Sequence, residues 1–229
     1  PYIKGSTMKI TDGLVLDHLT IFKGAKRLVA LSAHVKKGEV LTLMAPSGAG
    51  KSTALAAIVG ALDPFFRQHG KIFLDGQDIT DLPIHERHVG ILLQDDLLFP
   101  HMSVAANLAF AMPNIGQSKG ERRQLIEQTL EEVDMPLHAD ADPATLSGGE
   151  RARVALVRCL LAEPKALLLD EPFSALDQDL RATLRLKVFE LTKARALPVI
   201  MVTHEHADAL AAGGEVISLM GQALDISKT

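Results

Sequence analysis

The stretch APSGAGKST, Ala45 to Thr53, constrains this chain more than any other part of it. It follows an apolar run, EVLTLMA (39–45), and opens a segment rich in Ala and Leu, Lys51 to Leu62. A buried strand, a glycine-rich turn and a helix start in that order are the context of a phosphate-binding loop. The glycines let backbone N–H groups turn inward around phosphate oxygens, and the helix adds its positive end. Candidate nucleotide contacts are therefore Pro46, Ser47, Gly48, Ala49, Gly50, Lys51, Ser52 and Thr53. Lys51 would neutralise the β- and γ-phosphates, and the Ser52 hydroxyl would hold Mg²⁺. The usual pattern begins with glycine, and here that position is Ala45. A methyl group is tolerable there because Ala45 closes an extended strand at negative φ.

Two further apolar runs end in polar residues. ALLLDEP (166–172) is a buried strand with Asp170 and Glu171 at its carboxyl end, and PVIMVTHE (198–205) ends on His204. Neighbours on a pleated strand point in different directions. Asp170 can therefore serve the metal through its water shell while Glu171 orients or deprotonates the attacking water. His204 is placed as a donor to the γ-phosphate. VGILLQ (89–94) ends on Gln94, whose amide would serve Mg²⁺ or the water.

Strand patterns also cover 14–21, 27–35, 70–76 and 214–220, and helical ones cover 150–162 and 178–196. Buried strands alternating with helices imply a parallel sheet covered on both faces, with ligands beyond the strands' carboxyl ends. From about Asp95 to Leu146 the strand signal disappears, and 103–112 and 118–135 suit helices. In the second, Leu125, Thr129, Leu130 and Val133 share one face. This region reads as a helical lobe inserted into an α/β core.

LSGGE, Leu146 to Glu150, puts a serine and two glycines ahead of the helix at 150–162, a second start suited to an anion. Taken alone it is a Ser-capped helix, and Ser147 with Glu150 forms the pattern of a capping box.

SGAGKS, ILLQDD, LSGGE, LLLDEP, SALD and VTHE occur in the order and rough spacing of ABC transporter ATP-binding subunits. The resemblance covers nearly all of residues 14–220, and QDDLLFPHMSVAANL and DEPFSALD resemble bacterial importer subunits most. It implies a phosphate-loop NTPase core with a parallel sheet, an N-terminal antiparallel β-subdomain and an inserted α-helical subdomain. The core is expected at about 8–94 and 147–229, and the helical subdomain at about 95–146. It also implies residue roles. Phe22 matches an aromatic that stacks on adenine, although a core or surface phenylalanine suits the position equally. Gln94 matches the glutamine linking the two lobes. Ser147, Gly148, Gly149 and Glu150 match the signature loop, which covers the ATP of a second subunit, and Asp177 matches the aspartate that crosses to that partner.

Glu150 departs from the commoner glutamine. A carboxylate near a triphosphate is repelled, so Glu150 is expected to turn toward the ribose hydroxyls. The γ-phosphate would then fall to Ser147 and the Gly149 N–H.

The resemblance thus implies an ATPase using ATP and Mg²⁺. It would act as a head-to-tail homodimer on integral membrane permease subunits, with a solute-binding protein delivering the solute. That places it on the cytoplasmic face of the inner membrane. A non-transport ATPase of the same class, for DNA repair or regulation, is the alternative, but no long coiled-coil pattern lies between Gly76 and Leu146. Leu97, Leu98, Phe99 and Met102 suit either a permease groove or the core of the lobe.

Composition narrows the rest. With 24 basic and 28 acidic residues the chain has no bulk charge suited to nucleic acid, and its single cysteine, Cys159, excludes an internal disulfide framework. No apolar run reaches membrane-helix length. PYIKGST (1–7), ahead of Met8, reads as an expression remnant.

Overall fold

The computed structural model describes residues 12–226 except 47, 114, 115, 175 and 177, and it describes only the backbone of 179 and 180. The chain forms two sheets and a set of helices. β1 (Leu14–Lys23), β2 (Lys26–Val35), β4 (Phe66–Leu74) and β5 (Gln77–Asp78) make an antiparallel sheet in the order β2-β1-β4-β5. β3 (Val40–Met44), β6 (Val89–Leu92), β7 (Ala166–Asp170), β8 (Val199–Thr203) and β9 (Glu215–Ser218) make a parallel sheet in the order β6-β7-β8-β3-β9. The helices are α1 (Lys51–Val59), α2 (Val104–Ala111), α3 (Lys119–Glu132), α4 (Gly148–Leu161), α5 (Gln178–Ala194) and α6 (His206–Ala212).

Period-two alternation decides which face each side chain of the parallel sheet occupies. Leu41, Leu43, Leu168, Ile200 and Val202 pack with α1 and the antiparallel sheet. Val40, Leu167, Leu169, Val199 and Met201 pack on the other face against α4 and α5, around Leu156, Leu160, Leu184 and Val188. A third cluster joins α2, α3 and α4 through Leu108, Ile126, Leu130, Val154, Val157 and Leu161. This last cluster therefore runs past residue 146 into α4.

Several expected boundaries move for local reasons. β4 starts at Phe66, before the expected residue 70, because the polar run Arg67 to His69 pairs with β1 around an irregularity between Asp17 and Thr20. Gly70 sits there at φ +89, with the His18 carbonyl where a Cβ would fall. α1 stops at Val59 because Gly60 takes the left-handed conformation, its N–H bonded to the Ala56 carbonyl. α4 begins at Gly148, with Ser147 as its cap. On α3 the buried face includes Ile126, whereas Leu125 is half-buried. α6 was not foreseen: its seven residues are too short for a helical pattern to stand out.

The end of α1 rests on a buried guanidinium. Arg87 donates from Nε to the Leu82 carbonyl at 2.8 Å and from Nη1 to the Ala57 and Ile58 carbonyls at 2.9 Å each, and also bonds the Thr80 carbonyl. A Cβ on Gly60 would lie 2.5 Å from Arg87 Nε. Because those bonds pin Arg87, it cannot step aside. Gly60→Ala is expected to lower stability by about 3 kcal/mol, combining left-handed strain with the disturbed buried charge. Urea unfolding measures this directly.

Candidate active site

The carboxyl ends of β3, β7 and β8 converge. After β3 the chain turns through Pro46 and Ala49, whose N–H reaches the Pro46 carbonyl at 3.2 Å. Gly48 at φ +75 and Gly50 at φ +109 require glycine for their backbone conformation. Ala45 is not among the left-handed residues, so its methyl group carries no backbone strain. Gly50 caps α1 without any side-chain hydrogen bond, and the first turn holds no acid. The leading N–H groups of α1 are thus open to an anion.

Lys51, Glu171 and His204 form one connected cluster. Lys51 Nζ lies 2.5 Å from Glu171 Oε1, with side chains only 7% and 14% exposed. The same ammonium donates to the Ala45 carbonyl at 3.1 Å. His204 Nδ1 lies 3.1 Å from Glu171 Oε2. Glu171 has φ +47, and its N–H is held by the Val202 carbonyl at 2.9 Å, which fixes the carboxylate between the other two groups. Burial pushes the Glu171 carboxyl up, but the Lys51 hydrogen bond and charge, followed by His204, outweigh it and hold the group below its usual value. For Asp170, burial prevails and the carboxyl is raised; the Ser52 hydroxyl and Lys51 oppose this, and the charge of Glu171 adds to it.

The Ser52 hydroxyl donates to Asp170 Oδ2 at 3.1 Å. Both atoms are hard oxygens of the kind Mg²⁺ takes, either directly or through one of its bound waters. Among the described residues, no group of three His, Cys, Asp or Glu could hold a metal. This donor pair suits an ion whose remaining ligands are phosphate and water.

Other expected residues lie elsewhere. Gln94 is exposed two residues past β6 and makes no hydrogen bond among the described residues. It lines a 350 Å³ cavity with Asp96, Gly148, Arg151 and Pro172. Phe22, on β1, is half-buried and meets the His69 ring edge-on at 5.9 Å. Pro46 and Ser52 are exposed, and Ala49 and Thr53 half-buried, along the loop. Ser47 and Asp177 lie outside the described residues.

Ser147 caps α4 and shares no hydrogen bond or ion pair with the phosphate loop among the described residues. Gly148 and Gly149 form the first turn of α4. Glu150 forms the capping box with Ser147 that its spacing leads one to expect. Its Oε2 accepts from Ser147 N at 2.8 Å and from Ser147 Oγ at 2.7 Å, closing the capping box. The donors that hold this oxygen are one N–H and one hydroxyl, both of Ser147.

One supporting network escaped sequence reasoning. Asp208, 2% exposed on α6, pairs with Arg185 Nη1 at 3.1 Å and lies 3.4 Å from Thr203 Oγ1. That Thr203 oxygen accepts the Glu205 N–H at 3.0 Å, bracing the segment that carries His204. An acid five residues after a strand-ending threonine was the available signal, masked because α6 went unrecognised. Of the residues suited to either an apolar groove or the lobe's core, Leu97 is 58% exposed, whereas Leu98 packs on the third cluster and Phe99 stacks edge-on with Phe110. No helix among the described residues is long and apolar enough to cross a membrane.

The profile of a family described as ABC transporter matches residues 28–174. The ABC transporter ATP-binding protein YnjD of Escherichia coli is 48% identical over 80% of this chain and 84% of its own length. The Fe(3+) ions import ATP-binding protein FbpC 1 of Haemophilus influenzae is 39% identical over 92% of this chain, which spans 63% of that protein. The spermidine/putrescine import ATP-binding protein PotA of Protochlamydia amoebophila is 36% identical over 92% of this chain and 56% of its own length. A solved structure of a metal-chelate type ABC transporter in an inward-facing conformation shares the fold, with a TM-score of 0.75 at 24% identity over 90% of this chain and 79% of the other.

Proposed function

Because the chain belongs to the ABC transporter family of ATP-binding proteins, we propose that it binds and hydrolyses ATP to power solute import through a separate membrane permease. The observation that carries this reading is the Lys51–Glu171–His204 cluster, joined at the end of the phosphate loop while the signature serine stands apart from it. A γ-phosphate held by Lys51 and the α1 N-terminus keeps one open face. Ser147 and the Gly149 N–H of a second copy would cover it.

The steps follow from charge. A phosphate oxygen replaces the Glu171 carboxylate at Lys51 Nζ, where the exchange of one anion for another keeps the buried ammonium paired. Glu171, released from Lys51, accepts the proton of the attacking water or orients it. His204 then donates to the γ-phosphate. When bound, Mg²⁺ neutralises developing charge on the phosphate oxygens, with Ser52, Asp170 and Gln94 as its protein-side contacts. Two positive helix ends from opposite copies attract one triphosphate, so ATP favours the closed dimer by its differential affinity for it. Hydrolysis weakens the attraction and the dimer opens.

The helical lobe, near Gln94 and the exposed Leu97, faces the permease in this scheme, and a solute-binding protein supplies the solute. The chain would then sit peripherally on the cytoplasmic side of the inner membrane. Among the described residues of the lobe, α2 and α3 have 8 and 14 residues, too short for a coiled coil of the kind a chromosome or repair ATPase carries. Light scattering of the Glu171→Gln chain, which is expected to bind ATP without turning it over, at rising ATP and Mg²⁺ tests the dimer. A doubling of mass is expected. A chain that remains monomeric, or a crosslink joining Ser147 to the phosphate loop of its own polypeptide, would refute the arrangement.

A further inference from the structure

Glu150 brings a negative charge to the loop that, on the reading above, must approach a partner's triphosphate. Something has to hold that charge back. Its Oε2 is occupied by the cap, and its Oε1 lies 3.3 Å from His138 Nε2. The two side chains are 34% and 27% exposed, so the contact is only partly screened. His138 is itself fixed: its N–H donates to the Met135 carbonyl at 3.3 Å, and its carbonyl accepts from Ala141 N at 3.1 Å. The adjoining Ala139 is buried in the cluster of α2, α3 and α4. The other ring nitrogen, Nδ1, is buried without a hydrogen-bond partner. The backbone of His138 is thus held, and its ring sets Nε2 close against the Glu150 carboxylate.

We propose that His138 is a positioning residue that clamps Glu150 against the cap of α4, keeping its charge away from the nucleotide and the Ser147 N–H in place. The proposal rests on the two-copy ATP site above. Without His138, Glu150 keeps only the cap's hold on Oε2 and swings outward more often, where its charge repels the incoming phosphates. With glutamine at 150 there is no charge to restrain, and His138 loses its purpose.

The test has two arms. In the absence of nucleotide, amide hydrogen exchange at Ser147 is measured for wild type, His138→Leu and His138→Gln. In a Glu171→Gln background, the ATP concentration giving half-maximal dimer is measured for the same series, and again with Glu150→Gln added. His138→Leu is expected to speed Ser147 exchange about fivefold and to raise the ATP requirement about fivefold, the scale of a partly exposed polar contact to a carboxylate. His138→Gln, which keeps a donor near the Nε2 position, restores both. With Glu150→Gln present, His138→Leu changes the ATP requirement less than about twofold. Unchanged exchange and ATP requirement in His138→Leu, or an equal loss with Glu150→Gln present, overturns the clamp. If no variant dimerises with ATP, the two-copy site fails instead, while the exchange arm still decides the contact.

Discussion

Replacing Glu171 with glutamine is expected to cut ATP turnover at least about 100-fold while leaving ATP binding intact, so that closed dimers accumulate. The geometry separates the two effects. A glutamine amide oxygen can still accept from Lys51 Nζ, which approaches Glu171 to 2.5 Å, and the Ala45 carbonyl at 3.1 Å retains its share of the ammonium. The loop therefore keeps its shape. The amide cannot take a proton from water, and that is the function lost. Phosphate release measures turnover, and light scattering with ATP measures the trapped dimer. Turnover within tenfold of wild type would remove Glu171 from its assigned role.

Lys51→Met should act on the other half of the cluster, lowering ATP affinity about 100-fold through the loss of a desolvated charge pair to the phosphates. It should also destabilise the empty chain by about 2 kcal/mol at neutral pH, because the buried Glu171 carboxylate keeps only His204. The pH dependence gives a signature. In the wild type, burial raises the Glu171 carboxyl, but Lys51 and His204 pull it below its ordinary 4.5. A depressed carboxyl contributes stability that is present above 4.5 and lost as pH falls through the folded value. Without Lys51 the burial effect gains ground and that contribution shrinks. The gap in urea midpoint between wild type and variant should therefore be widest near pH 7 and narrow below about pH 4. A gap that is constant with pH would mean the Lys51–Glu171 pair contributes nothing to folding.

The parallel sheet and the residues at its carboxyl ends were legible because each depends on a short, local pattern: an apolar strand, then a polar residue with a chemical task. Lys51, Asp170, Glu171 and His204 all follow that rule, and three of them meet. Features made by distant segments were not legible. Asp208 and Arg185 are 23 residues apart, and His138 and Glu150 are joined across the loop between α3 and α4. Neither pair leaves a periodic trace. The capping box of Ser147 and Glu150 was legible, because its two residues stand only three apart.

α4 belongs to two cores at once: Ala155, Leu156 and Leu160 line one, and Val154, Val157 and Leu161 line the other. Neither can shed this helix without losing a wall. A lobe exchanged between related proteins would therefore have to bring α4 along, and with it the signature loop. The part of the molecule that meets a particular permease and the part that senses a neighbour's nucleotide are thus inherited as one piece.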